Sequence, residues 1–79
     1  MINTVKTKAE LVSLIESMAQ ELKENPERWE NPTLDRYLEA LASWLTDSQG
    51  YYQNMGLKEP VAPSWKDVAD MLLAARIYE

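Results

Sequence analysis

Proline and capping residues divide this chain into three segments, and that division constrains the fold more than any other feature of the sequence. Asn25-Pro26 ends the first apolar segment, because proline disfavours helical geometry in the residue before it. Asn31-Pro32 opens the second segment, with Asn as the cap and Pro at the first helical position. Ser64 and Asp67 have the spacing of a capping box at the start of the third. With no strand-like alternation visible, the sequence predicts an all-α, three-helix structure.

Apolar residues recur every three or four positions in each segment, as they do on one face of a helix. The predicted first helix covers residues 8–24, with Thr7 and Glu10 as its capping box. The second covers residues 32–48, with Gly50 as its C-terminal cap and a short extra helical turn after it. The whole chain is predicted to be one small domain with the following core: Leu11, Ile15, Met18, Leu22, Leu38, Leu41, Leu45, Val68, Leu72, Trp29, Trp44 and Trp65.

Composition and charge argue against several functional classes. The chain has 79 residues and a net charge of −5, from 13 acidic and 8 basic residues, which disfavours binding to duplex nucleic acid. It has no cysteine and no histidine, which argues against thiolate metal sites and the commonest general base. No apolar stretch approaches the roughly 20 residues of a membrane span. The sequence therefore predicts a cytoplasmic protein that binds neither a membrane nor a cofactor.

An acidic and aromatic corner, Asp47 with Tyr51 and Tyr52, is the first candidate binding site. A carboxylate beside tyrosines suits recognition of a basic side chain, through ion pairing and cation–π contact. Asp47 would also lie at the negative end of its predicted helix, which suggests that it has a partner. That partner could be internal, such as Lys66 or Arg36, and the corner could be purely structural.

Asp35 and Glu39 lie one turn apart on the second predicted helix and form a second candidate surface. Their simplest interpretation is a solvated helix face. The alternative is a partner-binding face, supported by further glutamates that make the N-terminal third acidic and could imitate a phosphate backbone. Those glutamates are Glu10, Glu16, Glu21, Glu24, Glu27 and Glu30.

Asp67 and Asp70 could bind a divalent cation or act in acid–base catalysis. However, aspartates near a helix start are favoured by the helix dipole, and no third or fourth ligand is apparent. The serines have no histidine to activate them. We therefore predict no catalytic residue and no metal site, and expect the protein not to be an enzyme.

The region from Trp29 to Glu79 resembles a family of short bacterial proteins of unknown function. The resemblance rests on Asn31-Pro32-Thr33-Leu34, Tyr37-Leu38-Glu39-Ala40-Leu41, Trp44, Asp47, Gly50-Tyr51-Tyr52, Asn54, Pro63-Ser64-Trp65-Lys66, Ala69-Asp70-Met71-Leu72-Leu73-Ala74-Ala75 and Ile77-Tyr78-Glu79. It implies a shared fold but no activity. In size and charge, such proteins are similar to the immunity proteins of bacterial toxin systems.

These observations favour a non-enzymatic interaction protein, most concretely an acidic inhibitor or immunity-type partner of a basic bacterial protein such as a toxin. The predicted partner-binding residues are Asp47, Tyr51, Tyr52, Asp35 and Glu39. The alternative is a self-associating accessory domain, in which a homodimer buries the surplus apolar surface.

Overall fold

The computed structural model describes residues 3–56 and 62–78, without the side chains of residues 49, 51 and 52. This part of the chain forms three α-helices and no strand, which confirms the all-α prediction. Helix α1 is Lys8–Glu24, α2 is Leu34–Asn54 and α3 is Trp65–Ala75. A 3₁₀ turn, Pro26–Arg28, follows α1.

Helix α1 has the predicted bounds, and its capping box differs only in the second hydrogen bond. The Thr7 hydroxyl accepts from the Glu10 backbone N–H at 3.1 Å. The Glu10 carboxylate accepts from the Thr7 hydroxyl at 3.1 Å and from the Lys6 N–H at 3.3 Å. One of the unpaired donors at the start of the helix is thereby satisfied, whereas a complete capping box also pairs the backbone N–H of the cap residue.

The start of α2 differs from the prediction, because Asn31 does not cap this helix. The first helical hydrogen bond runs from the Tyr37 N–H to the Thr33 carbonyl oxygen at 2.8 Å. Asn31 is buried, and its amide donates to the carbonyl oxygens of Ala75 at 3.1 Å and Tyr78 at 2.7 Å. Its backbone N–H donates to the Arg76 carbonyl oxygen at 3.1 Å. Asn31 thus satisfies carbonyls at the end of α3, which have no partner within that helix.

The predicted end of α2 is also wrong, since Gly50 lies inside the helix. The helix runs on to Asn54, so the extra turn expected after Gly50 is part of α2 itself. Gly56 has the positive φ of 68° that ends a helix, and its N–H donates to the Gln53 carbonyl oxygen at 3.1 Å. Asp47 is therefore about two turns from the helix end.

Helix α3 packs against both α1 and α2, which do not pack directly against each other in the described part of the chain. Its predicted capping box is confirmed. The Asp67 N–H donates to the Ser64 hydroxyl at 3.1 Å, and the Ser64 N–H donates to the Asp67 carboxylate at 2.8 Å. Ala69 and Ala75 have no exposed surface. Such small side chains let neighbouring elements approach α3 closely.

The core is smaller than predicted. Leu11, Met18 and Trp29 are buried as expected, together with residues that the prediction omitted, namely Val5, Ala40, Ala69, Ala74 and Ala75. The predicted core residues that are instead half-buried are Leu22, Leu41, Trp44, Val68 and Leu72. Those that prove to be exposed are Ile15, Leu38, Leu45 and Trp65. The helical stripes were identified correctly, but the lack of direct packing between α1 and α2 leaves their edges uncovered.

A polar cluster joins the end of α1 to the end of α3. The Trp29 indole N–H donates to the Glu21 carboxylate at 2.7 Å, and the Arg76 guanidinium binds the same oxygen at 3.0 Å. These two interactions, with that of Trp29 the larger, lower the pKa of Glu21. The Trp29 ring in turn lies 5.6 Å from the Tyr37 ring on α2. The cluster therefore fixes the connector between α1 and α2.

Candidate protein-binding surface

Asp35 is an exposed carboxylate in the first turn of α2. The Thr33 hydroxyl donates to it, as does the backbone N–H of Arg36, and these hydrogen bonds hold the pKa of Asp35 below its usual value. The positive pole at the start of the helix favours the same charged form. Asp35 therefore presents a stable negative charge to solvent at neutral pH.

Glu39 lies one turn further along α2 and is also exposed. It borders a shallow depression that also touches Arg36, Ser43 and Tyr78. The Arg36 side chain donates to the Glu30 carbonyl oxygen at 2.7 Å. Within residues 3–56 and 62–78, one ion pair is present, and it joins Arg76 to Glu21. Neither candidate carboxylate of this surface is therefore neutralised by a salt bridge there.

Asp47 has an internal partner, and that partner is Tyr78 rather than either suggested cation. The Tyr78 hydroxyl donates to the Asp47 carboxylate. This hydrogen bond is the main reason that the pKa of Tyr78 is raised. Asp47 itself remains exposed, beside a depression bordered by Trp44 and Tyr78.

The structure brings the predicted site residues onto one helix but not into one cluster. Glu39 and Asp47 are eight residues apart on α2, which corresponds to about 12 Å along the axis. Tyr78 lies between them, because it borders both depressions. The side chains of Tyr51 and Tyr52 lie outside the described part of the chain, so their predicted role stays a prediction. We define the acidic face as Asp35, Glu39 and Asp47.

Sequence reasoning missed Tyr78 as part of this surface. Its contact with Asp47 joins residues 31 positions apart, and no local pattern signals such a pairing. Its proximity to Asn31 follows from the fold, since the Tyr78 carbonyl oxygen accepts from the Asn31 amide. The one available signal was an aromatic residue just after the last apolar helix.

The other exposed side of α2 carries an apolar row, of which Leu38 and Leu45 were predicted to be buried. Leu34, Leu38 and Leu45 are 74%, 52% and 47% exposed, and we call them the leucine row. At 100° per residue, the three side chains lie within about 40° of one another around the helix. The acidic face begins about 60° beyond them. Helix α2 thus presents an apolar side and an acidic side to solvent.

The Asp67 and Asp70 pair is accounted for by hydrogen bonds within the fold. Asp67 belongs to the capping box of α3. Asp70 accepts a hydrogen bond from the Asn3 amide, and partial burial raises its pKa. Across the described ranges, no three acidic side chains are grouped as metal ligands would be.

The sequence also matches a known family over most of its length. The profile of DUF7660, a family of unknown function, matches residues 7–79. The chain belongs to DUF7660. The match includes α1, which the resemblance over Trp29–Glu79 had left out.

Membership of DUF7660 brings no assigned activity with it. No curated protein and no solved structure matches the chain. No helix in residues 3–56 or 62–78 is long and apolar enough to cross a bilayer.

Proposed function

We propose that this DUF7660 protein is a non-enzymatic interaction module that binds a basic protein through the acidic face of α2. Its most concrete form is an immunity-type inhibitor of a basic bacterial toxin, acting in the cytoplasm. One observation carries the proposal: Asp35, Glu39 and Asp47 are all exposed on α2, and none has a salt-bridge partner among the described residues.

The geometry of Asp35 and Asp47 supports a role in recognition. The hydrogen bond from Tyr78 orients the Asp47 carboxylate, and the interaction with Thr33 favours the charged form of Asp35. A carboxylate that is already oriented loses little conformational freedom when a basic side chain binds it. Because α2 is a continuous helix from residue 34 to residue 54, the spacing between these charges is also fixed.

The net charge of the protein also favours binding to a basic partner. A net charge of −5 on 79 residues attracts a basic partner and raises the rate at which the two proteins meet. Charges at the edge of an interface act mainly on the association rate and on the choice of partner. The acidic face would therefore select the partner, while neighbouring side chains supply buried contact area.

Comparative affinity capture from native host cells tests this proposal. The baits are the wild-type protein, the double variant Asp35→Asn/Glu39→Gln and the matched control Glu16→Gln/Glu24→Gln. The control removes the same charge from exposed positions of α1, and reduced capture on this bait alone would instead assign recognition to the acidic N-terminal third. Captured proteins are quantified by mass spectrometry at low salt and at physiological salt.

We expect one dominant basic protein on the wild-type and control baits, reduced on the α2 variant and at the higher salt. Equal capture by all three baits would show that the acidic face does not recognise the partner. If no basic protein were enriched on the wild-type bait, the inhibitor proposal would be wrong.

A further inference from the structure

We infer that this protein forms a two-fold symmetric dimer through an apolar surface made by the leucine row of α2 and a groove beside it. The partner is a second copy of this chain. The inference is independent of the proposed function, because the leucine row and the acidic face occupy different sides of α2.

The groove lies between α1 and the beginning of α2, with a volume of about 260 Å³. Ile15, Ala19 and Leu22 line its α1 side, while Leu34 and Tyr37 line its α2 side. None of the side chains that line it is charged. The groove exists because α1 and α2 each pack on α3 and not directly on each other in the described structure.

The leucine row forms a ridge that continues from this groove. Leu34 belongs to both, and Leu38 and Leu45 extend the row along α2 at spacings of four and seven residues. With half-buried Leu41, the spacing becomes four, three and four, which is the spacing of a helix–helix seam.

A ridge and a groove side by side on one face can make a self-complementary surface, which is what a two-fold interface requires. In such an interface the same surface of both copies meets, so the ridge of each copy can pack into the groove of the other. A chain that carries both features needs no second kind of protein to complete the fit.

The low charge of this face is compatible with a second copy. Two chains of net charge −5 repel wherever their carboxylates approach, so they can associate only through a surface with few charges. The groove and the row contain none. The charged residues at the edges have both signs, with Lys23 and Glu16 on α1 and Asp35 on α2.

The size of the surface sets the expected strength of the dimer. The row from Leu34 to Leu45 is about 16 Å long, and the surface is about two helices, or 20 Å, wide. The resulting flat area of roughly 300–400 Å² is small beside the ~800 Å² per partner of a standard interface. We therefore expect a reversible dimer with a dissociation constant in the micromolar range.

Sedimentation equilibrium of the full chain, from about 1 to 500 µM, tests the inference. The mass should rise with concentration from the 9.1 kDa of one chain to twice that value. Leu38→Glu introduces one charge per copy into the seam and should weaken the dimer by at least about a hundredfold. Ile15→Glu, on the α1 side of the groove, should weaken it similarly.

Met55→Glu is the matched control, because Met55 is 60% exposed and does not line the groove. It should leave the dissociation constant unchanged, and far-UV circular dichroism should show equal helicity in all variants. A 9.1 kDa species at every concentration would overturn the inference and leave the groove to another protein or an apolar ligand. A folded Leu38→Glu variant that dimerises as the wild type does would also overturn it.

Discussion

The side-chain amide of Asn31 donates a hydrogen bond of 3.1 Å to the backbone carbonyl of Ala75, 44 residues away. Asn31 directly precedes Pro32 and would be expected to cap α2. Instead its amide binds carbonyl oxygens at and just after the end of α3. One side chain thus fixes where the connector between α1 and α2 meets the C-terminal part of the chain. Tyr78, which joins the acidic face, is held by the same amide.

Replacing Asn31 should therefore destabilise the whole fold. Asn31→Ala removes two hydrogen bonds and leaves the buried Ala75 carbonyl without its side-chain partner, at a cost of about 2–3 kcal/mol in the free energy of unfolding. Asn54→Ala, at an exposed position, should change it by less than about 0.5 kcal/mol. Urea denaturation followed by circular dichroism measures both. An Asn31→Ala variant as stable as the control would contradict this role.

Glu21 should make part of the stability dependent on pH. Its pKa is lower in the folded state than its usual 4.5, so ionised Glu21 favours folding above that pH. This stabilisation is lost as the pH falls through the folded-state value. We expect Glu21→Gln to be less stable than the wild type by about 0.5–1.5 kcal/mol at pH 7, with the difference shrinking below about pH 4.5.

Thermal melts of the two proteins at a series of pH values measure that difference. Arg76→Met removes the ion pair from its other side and should reduce the same pH dependence. A difference between wild type and Glu21→Gln that stays constant down to about pH 3 would show that ionisation of Glu21 contributes nothing.

The contact between Tyr78 and Asp47 should be visible in the titration of the phenol. The Asp47 carboxylate raises the pKa of Tyr78 above its usual 10.0. In Asp47→Asn, the midpoint of Tyr78 should fall towards that value, as measured by ¹³C NMR of labelled tyrosine. Tyr37 is an internal control, because burial rather than Asp47 raises its pKa. An unmoved Tyr78 midpoint would rule out this contact in solution.

The two glycines should respond to alanine in opposite directions. Gly50 lies inside α2, where an added Cβ would meet no atom within 4 Å. Gly50→Ala should therefore stabilise the protein by about 0.5–1 kcal/mol. Gly56 has a φ of 68°, and Gly56→Ala should destabilise it by about 1 kcal/mol. Thermal melts of the two variants measure these changes. If Gly50→Ala destabilised the protein and Gly56→Ala stabilised it, α2 would end at Gly50.

Local signals were sufficient to predict that three helices form and where α1 and α3 begin. The capping pairs Thr7/Glu10 and Ser64/Asp67 act within four residues, so their positions could be read directly. The end of α2 was predicted wrongly at Gly50, because a glycine can end a helix or lie within it at modest cost. The residues that follow the glycine determine whether the helix continues. The sequence carries no comparable local information about which helices pack together.

The candidate binding surface was predictable only in part. Exposed carboxylates on α2 follow from their helical spacing, and Asp35 and Glu39 lie on one side as expected. Leu38 and Leu45 of the leucine row were assigned to the core because apolar periodicity identifies a face without showing what covers it. The pairing of Asp47 with Tyr78 depends on how α3 ends, which Asn31 determines from a distant part of the chain.

The affinity of the captured basic partner, measured by calorimetry, tests the central claim most directly. If the acidic face recognises the partner, Asp35→Asn/Glu39→Gln should weaken binding about tenfold, because this variant removes two charges at the edge of the interface. Glu16→Gln/Glu24→Gln should change the affinity less than about twofold. Circular dichroism would confirm equal folding. Equal affinities for wild type and both variants would contradict recognition through the acidic face of α2.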